Sequence, residues 1–168
     1  MKARIATLVA LLALPGAASA QTVATLNTQY LTVKNYLVKS AEQMPVEHYS
    51  FKPVATVRSF GEIVAHLANE NFDICAAAKG EKSPRTTDFE KTTDKAALVK
   101  GLKDALAYCD PVYLMPDNAF AGETQLFGMK MTKMGVLALN TTHNFEHYGN
   151  FITYLRIKGL VPPSSQGQ

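Results

Sequence analysis

Between Thr22 and Met44 the apolar side chains fall at Leu26, Tyr30, Val33, Leu37, Ala41 and Met44, steps of three and four that line one face of an α-helix. Pro45 cannot continue it. From Pro45 to Arg58 there is a second proline, Pro53, and no clean period, so this stretch is a connection. Ser59-Phe60-Gly61-Glu62 then has the spacing of a capping box, in which the Ser59 hydroxyl accepts from the Glu62 N–H and the Glu62 carboxylate bonds back to Ser59. A second helix starts there, steps through Ile63, Leu67, Glu70 and Ile74 with Phe72 and Cys75 beside them, and stops at Gly80. Residues 81–92 are polar and aperiodic, a long connection for a helical domain. Thr93 as cap and Asp94 as first-turn acid precede Leu98, Leu102, Ala105, Leu106, Cys109 and Tyr113, a third helix that ends by Pro116. Pro111 lies within its last turns and either kinks it or stops it early. After a Pro/Gly-containing loop over 116–131, a fourth helix runs from about Lys133 to Lys158, ahead of Gly159 and Pro162-Pro163. Its stripe is Val136, Asn140, His143, His147, Phe151 and Tyr154.

No internal repeat and no convincing period-two strand interrupts this pattern, so the expected class is all-α, a four-helix bundle in which each apolar stripe is buried by its neighbours. With 47% hydrophobic residues in 168, one domain is expected to form a core. The formal charge is +3, from 17 basic and 14 acidic residues, which argues against a nucleic-acid partner. The first 20 residues read as a cleavable signal peptide: Lys2 and Arg4 form a basic start, Ile5 to Leu14 an apolar run, and Ala18-Ser19-Ala20 a small-residue cleavage box before Gln21. The alternative is an uncleaved N-terminal anchor. The run is too short for a stable span, and no later stretch approaches the roughly 20 apolar residues a span requires. The mature domain, 21–168, is therefore expected to be periplasmic or secreted. It keeps 15 basic and 14 acidic residues, a net charge of +1, once Lys2 and Arg4 are removed.

His143 and His147 are four apart and occupy stripe positions where a packing residue would ordinarily sit. Burying unpaired imidazoles is costly, and a shared metal offsets that cost. The stretch His143-Asn144-Phe145-Glu146-His147 is formally the HxxEH of an inverted zinc peptidase, which needs an acidic ligand downstream. Residues 148–168 contain no Asp, Glu or His, so that chemistry is excluded. A third ligand must come from upstream, and His66 on the second helix is the best candidate, the alternative being a core histidine without a ligand role. Three histidines from two helices leave coordination positions open, as a reactive site requires. His48 falls in a connection and reads as a surface residue. Glu62 and Asn69, a turn either side of His66, and Glu146 beside His147 are candidates to orient an imidazole or take a proton, a solvated helix face being the alternative for each, and Glu146 is the expected catalytic residue. Met115, Met129, Met131 and Met134 lack an MxM-rich tract and read as filler, not as copper ligands.

Cys75 and Cys109 can bridge only if the second and third helices run parallel. Counted back from Gly80 and Pro116, parallel helices place them within about 3 Å in height and antiparallel ones roughly 15 Å apart. The 81–92 connection reaches about 40 Å, enough to return along a helix. Two buried free thiols are the alternative, and sequence leaves both open.

The stretches Arg58-Ser-Phe-Gly-Glu-Ile-Val-Ala-His66-Leu-Ala-Asn and His143-Asn-Phe-Glu-His147-Tyr-Gly-Asn-Phe-Ile-Thr-Tyr-Leu-Arg156, with Gly159-Leu-Val-Pro-Pro163, resemble the DinB/YfiT-like superfamily over nearly the whole mature chain. The resemblance implies a four-helix bundle of up-down-down-up connectivity, hence parallel second and third helices. It also implies a divalent metal on His66, His143 and His147, which match the family's helix-two histidine and helix-four HxxxH pair. Pro111 and the export signal depart from the family pattern. Reactions in the superfamily include thiol-dependent transfer and isomerisation, and export argues against a cytosolic thiol co-substrate. The expectation is a metal-dependent hydrolase or transferase acting on a small molecule, with zinc or nickel ahead of iron or manganese. A non-catalytic metal- or ligand-binding domain is the alternative, and homodimerisation is left open.

Overall fold

Caps and prolines divide the chain where their chemistry requires. In a computed structural model, which describes residues 22–167, helix α1 spans Val23–Gln43 with Thr22 as its cap, and Met44 and Pro45 follow its end. The Ser59 capping box is formed on both sides: Glu62 N–H donates to Ser59 Oγ over 3.2 Å, and Ser59 N–H donates to Glu62 Oε2 over 2.6 Å. It opens α2, Phe60–Lys79, which closes on Gly80 with φ of +80°, a left-handed conformation that suits glycine. Helix α3, Lys95–Cys109, is capped by Asp94, whose carboxylate accepts from Ala97 N–H at 2.7 Å. Asp94 is thus the cap, in place of Thr93. Of the two effects open to Pro111, the early stop is the one found: α3 ends at Cys109 and a 3-10 turn, Val112–Leu114, follows. Helix α4, Lys133–Ile157, begins at Thr132 and ends ahead of Gly159 with φ of +74°. Among the described residues no helix is long and apolar enough to cross a membrane. The expected signal peptide, 1–20, lies outside the described residues.

The fold is mostly helical rather than purely so. Within the expected 116–131 loop lie two antiparallel strands, β1 (Glu123–Leu126) and β2 (Met129–Thr132), registered Glu123 to Thr132 and Leu126 to Met129. Phe127 and Gly128 join them, both with positive φ, +50° and +78°, the twist that a two-residue hairpin loop demands. Strands of four residues are too short for alternation to stand out, and only Leu126 on β1 is buried.

The α1 stripe is buried throughout, and Tyr30 stacks on Tyr113 with ring centroids 4.0 Å apart. Helix α2 packs on α3 and α4, and α1 packs on α4 and α3. A disulfide joins Cys75 of α2 to Cys109 of α3, with Cα atoms 5.6 Å apart, so the free-thiol alternative is excluded. A buried amide cluster joins α2 to α4: Asn140 Nδ2 donates to Asn71 Oδ1 at 3.0 Å, Asn144 Nδ2 to the same oxygen at 2.9 Å, and Asn71 Nδ2 to Asn144 Oδ1 at 2.9 Å. The Tyr113 hydroxyl donates to Asn140 Oδ1 at 2.8 Å. Paired in this way, the amides escape the cost of burying lone polar groups and hold α2 and α4 in one register.

Candidate metal centre

His66 reaches the site from α2, and His143 and His147 from successive turns of α4. Below them Phe60 and Phe151 stack with centroids 4.5 Å apart, which holds the facing turns together. The three rings meet through their Nε2 atoms: His66 to His143 is 3.2 Å and His147 to His143 is 3.1 Å. The nearest ring nitrogens of the three all lie within 4.8 Å of one another, and among the described residues the three histidines form the group of side chains that could hold a metal ion.

Bond arithmetic favours a cation at this point. Two imidazole nitrogens bound at about 2.0–2.1 Å with a tetrahedral angle stand roughly 3.3 Å apart, close to the two short separations seen. Hydrogen bonding alone does not satisfy the set. His143 Nε2 carries either one hydrogen or one lone pair, so it makes a good hydrogen bond to only one of its two neighbours. A divalent ion takes all three lone pairs at once. The protonation states agree: burial first, then the neighbouring imidazoles and Arg58, lowers His143 to about 4 and His147 to about 3, and burial followed by Arg58 lowers His66. All three are neutral at ordinary pH, the form that binds metal.

The outward nitrogens show how the rings are held. His66 Nδ1 lies 3.3 Å from Glu90 Oε1 and 4.0 Å from Glu70 Oε1. A proton on Nδ1 donated to Glu90 leaves the Nε2 lone pair for a metal. His147 Nδ1 lies 3.3 Å from the Asn150 amide, whose oxygen takes that position after a half turn of the side chain. His143 Nδ1 is buried with no partner among the described residues, so packing alone orients that ring.

Glu90 arrives from a 3-10 turn, Phe89–Lys91, near the end of the long connection, which doubles back along α2. Asn69 anchors the turn: its Nδ2 donates to Asp88 at 2.9 Å and its Oδ1 accepts from Phe89 N–H at 3.0 Å. Asn69 therefore holds the loop and not an imidazole. Glu62 likewise caps α2 and pairs with Lys52 at 2.9 Å. Glu146 is exposed and shares a cavity wall with His147 and Arg58. His48 ends a 3-10 turn, half-buried and outside the histidine group. Met115, Met131 and Met134 pack against the core, while Met129 is exposed on the hairpin, as filler residues do.

Sequence reasoning missed Glu70, Glu90 and Arg58 as neighbours of the site. Glu70 is detectable at i+4 from His66, and burial, reinforced by Asp73 and Glu90, pushes its carboxyl up to about 7. Glu90 lies 24 residues from His66 in a segment without a period, and nothing local marks it.

Comparison with known proteins identifies the family and the fold. The family model described as the DinB superfamily matches residues 29–150, a span that includes all three histidines. The uncharacterized protein YjoA of Bacillus subtilis is 29% identical over 136 residues, covering 79% of this chain and 88% of that protein. A crystal structure of a DinB-like protein from Bacillus cereus ATCC 10987 superposes with a TM-score of 0.72 at 16% identity, covering 85% of this chain and 97% of that one. The crystal structure of YjoA gives 0.64 at 26% identity, with 85% and 99% covered. With a family model spanning most of its length and the same fold in solved relatives, the chain belongs to the DinB superfamily.

Proposed function

We propose that this chain is an exported, single-domain enzyme that uses a divalent metal on His66, His143 and His147 to carry out hydrolysis or group transfer on a small molecule. The convergence of three neutral imidazoles through Nε2 carries this reading. A bound ion supplies Lewis acidity and makes a water or thiol a stronger nucleophile at neutral pH. An all-imidazole set suits zinc and nickel better than manganese, with iron next. The rest of the chemistry belongs to the protein. Glu90 keeps the His66 proton on Nδ1, and Glu146, on the exposed wall beside His147, takes the proton released by the nucleophile.

The disulfide supports export, since such bonds persist in oxidising compartments. Contacts at the helix ends support the up-down-down-up bundle. The disulfide joins the C-terminal parts of α2 and α3, Lys133 at the start of α4 donates to Lys79 O at the end of α2, and Lys95 at the start of α3 donates to Met44 O after α1. Neither the charge balance nor the site favours a nucleic acid, and homodimerisation is a matter for measurement in solution.

Metal analysis of untagged protein tests the reading. About one equivalent of metal is expected in the wild type and none in His143→Ala, with chelator-sensitive turnover of ester, amide or thiol-addition substrates. Glu146→Gln is expected to keep the metal and lose roughly a hundredfold or more in rate. Metal binding without turnover of any of these substrates leaves a binding domain.

A further inference from the structure

Arg58 immediately precedes the cap of α2, and its carbonyl accepts from the Tyr154 hydroxyl at 2.5 Å, which fixes the base of its side chain between α2 and α4. Near it Lys52 pairs with Glu62 at 2.9 Å, Glu90 contacts the neutral His66 at 3.3 Å and Arg85 pairs with Asp73 at 2.9 Å, while Glu146 on the shared cavity wall has no ion pair among the described residues. The Arg58 guanidinium itself forms no ion pair with any described carboxylate. Two cavities meet at this residue. One, of about 400 Å³, extends toward Lys52 and Glu90. The other, of about 510 Å³, is bounded by Val57, Ile63, Glu146, His147 and Tyr154. The second cavity joins Arg58 directly to the histidine site, since His147 lines the same wall.

We infer that Arg58 is the anion-binding arm of the site and takes the carboxylate of a small-molecule substrate whose reacting group lies at the three Nε2 atoms. This rests on the metal-dependent function proposed above. One guanidinium makes two parallel N–H···O bonds to one carboxylate. A phosphate dianion suits the cleft less well, because Glu146 and Glu90 share its walls and repel a second negative charge. Val57, Ile63 and the Tyr154 ring offer apolar surface for the carbon skeleton of the acid.

The test titrates sodium benzoate and its neutral isostere benzamide into the mature protein, metal-free and zinc-loaded, at fixed ionic strength, while the arginine Nε–Hε resonances are followed by NMR. Benzoate is expected to shift the Arg58 resonance and benzamide to leave it in place, with Arg85 and Arg156 unmoved. Arg58→Gln is expected to weaken benzoate about tenfold or more, and Arg58→Lys to keep part of the affinity. The same spectra report whether each variant is folded. Equal response to the two probes, unchanged benzoate affinity in Arg58→Gln, or no benzoate binding in either form overturns the assignment. Protein that takes up no zinc but binds benzoate through Arg58 retains the anion site and removes the metal-dependent function. Zinc uptake with no Arg58 response does the reverse.

Discussion

A histidine that resists protonation ties stability to pH in a definite direction. The unfolded chain takes up protons on His143 and His147 near the ordinary value of 6.5, whereas the folded chain refuses them until about 4 and about 3. Their contribution is complete above the unfolded value and is lost as pH falls through the window from 6.5 to 3. Thermal denaturation of the metal-free protein is therefore expected to show a falling midpoint across that window, and His143→Gln to flatten the fall. The Glu90 contact gives a second expectation at this scale. Glu90→Gln keeps the shape but weakens the hold on the His66 proton, and metal affinity measured against a competing chelator is expected to drop about 10- to 100-fold. A Glu90→Gln affinity equal to wild type would show that the His66 ring is oriented by packing alone.

Two contacts distant in sequence hold the elements around the site, one securing α2 to α3 and the other seating the 81–92 connection on α3. The disulfide closes a loop of 34 residues, which chain-entropy arithmetic values at about 4 kcal/mol. A Cys75→Ala/Cys109→Ala double variant is expected to lose about that much in urea denaturation without losing the metal site. The 81–92 connection is seated by Phe89 over Gly101 of α3, where an added Cβ would come 2.2 Å from the ring. Gly101→Leu is expected to displace Phe89, and with it Glu90, despite a helix-propensity gain of about 1 kcal/mol. Weakened metal binding together with protease sensitivity confined to 81–92 is the outcome to look for. The cap at Ser59 is different in kind, because both partners lie within one turn; this is why the spacing alone located the start of α2. The hairpin escaped notice because the positive φ at Phe127 comes from closure of the strand pair, not from a residue type that favours it.

At the scale of the whole molecule, the proposed export is checked by the mass of the mature chain recovered from a periplasmic or culture fraction, which is expected to begin at Gln21. Helix positions, the Ser59 capping box and the His143–His147 spacing were legible from the chain because each is decided within about one helical turn by covalent geometry and local hydrogen bonding, whereas the cap of α3 fell at Asp94, one residue beyond the Thr93 expected. His66 was legible as a candidate, since it is helix-borne beside an apolar stripe, but nothing local brings its Nε2 to 3.2 Å from that of His143. That distance, the pairing of the two cysteines, and the arrival of Glu90 and Arg58 at the site are results of α2 packing against α3 and α4. Sequence alone marked the three histidines and Glu146 as candidates to carry the chemistry, without Glu90 or Arg58. Packing across tens of residues of intervening chain decided which of them meet, because burial of apolar surface is non-directional and specifies neither partner nor register until the elements are in contact.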